Sequence, residues 1–313
     1  MANCNNLFES FNSNISLTSN KKDKMTTSKD GLRERIRNYF KKNHPSYDPK
    51  FYIQGSYKMK TGIRTKDDIC DLDDGVYFFK EPDVTATTLQ NWVWNAVNGY
   101  TSISPEHRKK CIRNVFSNDY EIDIPVYYKV DGKEYKLAVK DNGFEDSDPK
   151  ALIDWFNNNK DSAGKIIKII KYLKTWCDHK RNKMPTGLSM TILAINASKK
   201  ISLNDRNDIL LHDILKEIKK TLDNKFECVV PVTPKDDLFV DYDKTRTDNF
   251  LNNLKDFIDD SDSALKEKNQ LKSSRLWQKH LGTRFPDGEN KDEEFLGGTK
   301  VIEEAKKSNP WGN

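Results

Sequence analysis

Several things are scarce in these 313 residues, and each scarcity removes a class of protein. Cysteine is thin: Cys4, Cys70, Cys111, Cys177 and Cys228 stand singly, their odd number leaves no full disulfide pairing, and no Cys-x-x-Cys occurs. A disulfide-stapled secreted fold and a structural zinc site are both disfavoured. Histidine is scarcer in pattern than in number, since His179, His212 and the others show no ligand spacing. Long apolar runs are missing too. The longest, around Met190 to Ile195, falls far short of the ~20 residues that a membrane span requires. The first residues, Met-Ala-Asn-Cys-Asn-Asn, lack the basic start and apolar core of a signal peptide, so a cytoplasmic protein is expected. Charge of one sign is also lacking: 53 basic against 48 acidic residues give a net +5, a mixed surface that fits a phosphate-bearing small substrate as well as extended duplex.

What remains is enough for a globular protein. Hydrophobic residues make up 35% and aromatics 11%, which argues against disorder, and the length suits one two-lobed unit or two ordinary domains.

Along the chain, Leu7, Phe8, Phe11, Ile15 and Leu17 have helical spacing and predict a packed N-terminal arm. Ser28 is expected to cap a helix in which Leu32, Ile36, Tyr39 and Phe40 share a face, ending near Asn43-His44-Pro45. Short apolar runs at 51–53, 75–79, 120–130 and 135–139 read as strands, with Asp131-Gly132 a hairpin turn and a helix over 88–99 between them. After Asp148-Pro149, an N-cap followed by proline, the pattern turns helical: Ile153 to Phe156, Ile166 to Trp176, Leu188 to Ile195, 210–222 and 249–258. The expected class is therefore α+β, divided into an N-terminal arm and catalytic lobe over 1–148, a helical lobe over 149–290 and a tail over 291–313.

The chemistry lies between Gln54 and Gly75. Asp71 and Asp73 are two apart where a strand begins, and side chains two apart on a strand share a face. Such a pair can hold metal ions for phosphoryl or nucleotidyl transfer, with Mg2+ the expected ion and Mn2+ the alternative. Alone the pair also reads as a loop of solvated acids with Asp67, Asp68 and Asp74. A third acid changes the balance: Asp123 sits between apolar Ile122 and Ile124, with Glu121 on its face. Upstream, Gly55-Ser56 is placed to turn backbone N–H groups and a hydroxyl toward a phosphate.

Gly-Ser, then Asp-x-Asp, then a single strand Asp resembles the DNA polymerase β-like nucleotidyltransferases. Within them, Gln54-Gly55-Ser56-Tyr57 through Asp71-Leu72-Asp73-Asp74-Gly75 is similar to the bacterial cGAS/DncV-like enzymes (CD-NTases), the cyclic-oligonucleotide synthases of CBASS antiphage defence. Lys171-Tyr172-Leu173 and Gly187-Leu188-Ser189-Met190 resemble that family's helical-lobe Lys and Ser, so the likeness covers residues 5 to 290. The resemblance implies a polymerase β-like lobe with a mixed sheet against an oligoadenylate synthase-like helical lobe. It implies that Asp71, Asp73 and Asp123 bind two metal ions and carry catalysis, and that Gln54, Gly55, Ser56, Lys171 and Ser189 contact the donor triphosphate. The substrates would be ATP and GTP, and the product a purine cyclic di- or oligonucleotide, of cyclic GMP-AMP type, read by a downstream effector. The Cys- and His-rich zinc insertion of the animal enzyme has no counterpart, which removes zinc-dependent duplex DNA sensing. Pro310-Trp311-Gly312-Asn313 is placed where related synthases are joined to a target by a ubiquitin-transfer-like partner; a free tail is the default alternative. Two other functions stay open on the residues alone: nucleotide transfer to a protein, an RNA end or a small molecule, and a nucleotide- or RNA-binding module with a degenerate site.

Overall fold

The computed structural model describes residues 2–117 and 119–292. The proposed conjugation end, 310–313, lies outside them. The chain begins with α1 (Asn5–Ile15), whose buried Leu7, Phe8, Phe11 and Ile15 form one stripe. It continues into α2 (Ser19–Asn43), capped by Thr18, whose hydroxyl accepts from the Lys21 N–H at 3.2 Å. The predicted start at Ser28 is therefore corrected. Met25 continues the buried stripe of Leu32, Ile36 and Phe40 two turns earlier, and Ser28 lies mid-helix, bonded at 2.8 Å to the Tyr120 hydroxyl.

The elements that follow are β1 (Lys50–Gln54), the single turn α3 (Gly55–Lys58), β2 (Cys70–Phe78), α4 (Ala86–Val97), β3 (Glu106–His107), β4 (Ile112–Phe116), β5 (Tyr120–Ile124), β6 (Val126–Tyr128), β7 (Lys136–Val139) and β8 (Gly143–Asp146). They form one mixed sheet in the order β3-β4-β5-β2-β6-β7-β8, with β1 antiparallel to β2. β5 and β6 are two halves of a run interrupted at Pro125, and each half pairs in parallel with β2. On β2, Cys70, Leu72, Val76 and Phe78 pack with α2 and α4 in one core. The alternation turns Asp71, Asp73 and Tyr77 to the opposite face. Asp74 is on the packed face, buried and held by Arg33 of α2, Nε to Oδ2 at 2.7 Å, so it is a structural acid.

The second lobe is helical: α5 (Pro149–Asn159), α6 (Lys165–Lys180), α7 (Gly187–Ser198), α8 (Asn207–Asn224), α9 (Lys244–Lys266) and α10 (Gln270–Leu281). Asp148 caps α5 as its sequence predicts, accepting from the Ala151 N–H at 2.9 Å. Leu7, Phe8, Phe11 and Ile15 of α1 join the core of this lobe, packed around Tyr172, Trp277 and Phe285. The N-terminal arm thus belongs by packing to the helical side, and α2 carries the chain across to the sheet. No helix among the described residues is long and apolar enough to cross a membrane.

Candidate active site

A cleft of about 720 Å³ separates the exposed face of β2 from α6 and α7, within the size range of small-molecule sites. Asp71 and Asp73 form its floor, Gln54, Gly55 and Ser56 one wall, and Lys174 the other.

Backbone geometry brings the first wall close. Gly55 has φ +62°, and a Cβ there would stand 1.9 Å from Asp73 Oδ2, so only glycine fits against this carboxylate. Gln54 is buried and fixed from both ends: its amide nitrogen donates to the Tyr127 hydroxyl at 3.0 Å and its oxygen accepts from Tyr77 at 2.8 Å. It supports the turn rather than offering its amide to the cleft. The Ser56 hydroxyl is buried, lines the cleft and has no hydrogen-bond partner among the described residues. A buried hydroxyl without a partner is costly, which marks it as a group awaiting a ligand.

The two carboxylates are under electrostatic stress. Burial, then the charges of Asp71 and Asp123, pushes Asp73 up to about 7. Asp71 is open to the cleft on one side but surrounded by protein on the others, and desolvation raises it too, with Asp123 adding to the effect. The counter-charge is Lys174. Desolvation lowers its ammonium to about 8 while Asp71 and Asp73 hold it up, and Nζ donates to Thr61 Oγ1 at 3.1 Å and to the Thr61 carbonyl at 3.2 Å. Gly187 lets it pass, since a Cβ there would meet Lys174 Cε at 3.2 Å. Lys174 and Arg113 of β4 both act on the pair, yet burial and mutual repulsion keep the two carboxylates raised, so the floor is short of positive charge.

The third acid is placed but engaged. Asp123 is the direct neighbour of Asp73 in the parallel pairing of β5 with β2 and lies on its face. Its two oxygens, however, accept from Arg113 of β4 at 2.7 Å each, and Arg113 also pairs with Glu121. Among the described residues no three acid, His or Cys side chains form a ready metal cluster. The expected three-acid site is therefore assembled as two carboxylates in the cleft and a third held by a guanidinium beside them.

Two sequence-predicted contacts fall elsewhere. Lys171 does not line the cleft: its Nζ donates to Ser16 Oγ at 3.0 Å within a second cavity. Ser189 is fully buried, its hydroxyl 2.9 Å from that of Thr186, the cap of α7. Lys165, Lys168, Lys171 and Lys174 step round α6 by about 60° per three residues, so only one of the four meets the cleft, and the rotation of α6 selects Lys174. Sequence reasoning missed Lys174, Thr61 and Arg113. Lys174 was visible only as one of that run. Arg113 was hidden because β4 was not recognised, although Ile112 and Asn114 alternate inward.

Comparison with known proteins agrees with this geometry. Residues 49–127 match the family described as cyclic GMP-AMP synthase DncV-like, nucleotidyltransferase domain. Over 193 residues the chain is 31% identical to the cyclic GMP-AMP synthase of Escherichia albertii, a match that takes in 56% of this chain and 43% of that protein. The matched stretch thus spans less than half of that relative's length. In three dimensions the chain is similar to Vibrio cholerae DncV in its GTP-bound form, with a TM-score of 0.80, 18% identity, and 91% of this chain and 96% of that one covered. It is also similar to Vibrio cholerae DncV in complex with the linear intermediate 5′ pppA(3′,5′)pG, with a TM-score of 0.78, 16% identity, and 91% and 97% covered. At these identities the structural likeness establishes the fold alone, an α+β lobe with a mixed sheet against a helical lobe.

Proposed function

We propose that this chain, which carries a DncV-like nucleotidyltransferase domain over residues 49–127, is a cytoplasmic synthase that joins nucleoside triphosphates into a cyclic di- or oligonucleotide with release of pyrophosphate. ATP and GTP are the proposed substrates and the product a purine messenger of antiphage signalling, read by a downstream effector. One observation carries the reading. In a single cleft, two adjacent carboxylates whose charge is under-compensated lie against a Gly-Ser turn, whose hydroxyl has no partner among the described residues, and opposite a partly buried lysine.

The residues fit divalent cations. Asp71 and Asp73 supply hard oxygen ligands on one face, their raised affinity for protons is the behaviour of carboxylates lacking a cation, and the missing Cβ of Gly55 leaves room beside Asp73. Two such ions, Mg2+ by ligand type, would lower the charge on the reacting phosphate and on the attacking hydroxyl. The protein's own groups do the positioning. The Ser56 hydroxyl donates to a phosphate oxygen, the Lys174 ammonium neutralises the triphosphate, and Asp123 orients the acceptor side once Arg113 yields or shares it.

The test is incubation of the purified protein with all four triphosphates and Mg2+, followed by mass spectrometry of phosphatase-resistant products. A cyclic product from wild type and none from Asp71→Asn/Asp73→Asn is the expected result. Label transferred instead to a macromolecule, or a fully active double variant, overturns it.

A further inference from the structure

Behind the cleft lies a second cavity, about 910 Å³, whose lining the catalytic reading leaves unused. Six lysines face into it, Lys22, Lys58, Lys60, Lys160, Lys168 and Lys171, and no acid contributes to its lining. They come from four separate places: the start of α2, α3 and the residue pair after it, the end of α5, and α6. Only Lys168 has a carboxylate partner among the described residues, Glu9 at 2.6 Å. Lys171 is mostly enclosed, and burial together with the charges of Lys22 and Lys168 lowers its proton affinity. Lys22 of α2 and Lys168 and Lys171 of α6 are thus close enough for their charges to interact, unlike a solvated basic face on a single helix. Leu17, Ile53 and Ile167 give the cavity an apolar side, and the buried side-chain oxygen of Asn12, also in the lining, has no hydrogen-bond partner among the described residues.

We propose that this cavity is a second ligand site, separate from the catalytic cleft, for a small phosphorylated anion of three or more negative charges. Six ammonium groups around one cavity, of which only Lys168 has a carboxylate partner among the described residues, match a short oligophosphate, whose oxygens accept charge-assisted hydrogen bonds from several lysines at once. The apolar side holds whatever organic part the phosphate carries, and Asn12 accepts from a hydroxyl. Met59 and Gly62 belong to both cavities. Met59 lies between Ser56 and the Thr61 that receives Lys174, and Gly62 directly follows that threonine, so an occupant bears directly on the wall of the cleft. That coupling to turnover rests on the function proposed above; the binding itself does not.

The experiment is isothermal titration of the full chain with inorganic tripolyphosphate in EDTA. Without divalent ions, Asp71 and Asp73 repel an anion from the cleft, and the acid-free cavity becomes the preferred site. The structure predicts that Lys22→Gln/Lys160→Gln weakens binding at least tenfold, whereas Lys174→Gln changes it less than threefold. Neither Lys22 nor Lys160 has an ion-pair partner in the described structure, so the variant should unfold at the wild-type temperature. Lys58→Gln, on an exposed residue, is a second variant with the same expected direction. Absence of binding at millimolar tripolyphosphate, unaltered affinity in both cavity variants, or loss confined to Lys174→Gln overturns the proposal. Each outcome is read without nucleotides or turnover, so it stands apart from the test of synthase activity.

Discussion

Arg113 and Asp123 face each other directly across the antiparallel β4–β5 pair and are joined by two hydrogen bonds of 2.7 Å, Nε to Oδ1 and Nη2 to Oδ2. With Glu121 also bound to the same guanidinium, one cation serves two acids on the site's face of the sheet. Burial opposes the charge on Arg113, but the two carboxylates outweigh it and drive its proton affinity well above the ordinary value. Removing that cation leaves two partly buried carboxylates uncompensated. Arg113→Gln should therefore lower stability by about 1–3 kcal/mol, less than a fully buried pair loses. Mn2+ can replace the missing charge, so the rise in unfolding temperature on adding Mn2+ should be larger in Arg113→Gln than in wild type. An equal or smaller rise would show that Asp123 takes no part in metal binding.

Activity and stability should separate at the acid pair. Asp71→Asn or Asp73→Asn removes a charge that the cleft desolvates and its neighbours repel. Turnover should fall by roughly 10²–10³-fold or more, while the metal-free variants melt at or above the wild-type temperature. Product formation and calorimetry on the same preparations check both halves.

The pH dependence of metal-free stability follows from Asp73, with its folded value near 7 against an ordinary 3.8. A raised carboxyl binds its proton more tightly in the native state. Its contribution is thus fully present below about pH 3.8 and is lost as pH rises through 7. Lys174, lowered to about 8 from 10.5, acts in the next window: the unfolded chain there binds the extra proton, so its share of stability rises between those values. Subtracting the denaturation curve of Asp73→Asn from that of wild type across pH 4 to 8 should give a difference that declines with pH. A flat difference would contradict the burial assigned to Asp73.

Gly55→Ala should damage the site through geometry alone. The added Cβ meets Asp73 Oδ2, and the residue must stay at φ +62°, which costs an L-residue about 1–2 kcal/mol. Loss of at least tenfold in kcat with modest destabilisation is expected. Steady-state kinetics alongside urea unfolding measures the two effects.

Lys171 and Lys174 offer a comparison within one helix. Lys174→Ala should reduce kcat/KM by about 10²-fold as a lost charge-assisted phosphate contact. Lys171→Ala, measured without any added phosphorylated effector, should stay within a few-fold of wild type. Ser189→Ala should cost only about 1 kcal/mol, since Thr186 keeps its bond from the Ser189 N–H at 3.2 Å and continues to cap α7. Unchanged KM in that variant would agree with its burial beneath the cleft.

Legibility in the sequence followed the range of the interactions. Asp148-Pro149 marked the start of α5 because a cap is a contact across three residues. The extent of α2 was misread because Thr18 is as ordinary a cap as Ser28, and only the packing of Met25 against the sheet distinguishes them. β4 escaped notice because it is five residues long, with Asn114 at a buried position where an apolar residue is expected.

By itself the sequence determined that Asp71 and Asp73 share a face, because a strand alternates with period two wherever it lies. It determined equally that Gly55 precedes a hydroxyl and that helices dominate after residue 148. Tertiary structure alone decided that Asp123 stands beside Asp73, that Arg113 holds it, that α1 packs with the helical lobe, and that Lys174 rather than Lys171 meets the cleft. Strand register and helix rotation are set by burial between segments up to hundreds of residues apart, and no local spacing encodes them.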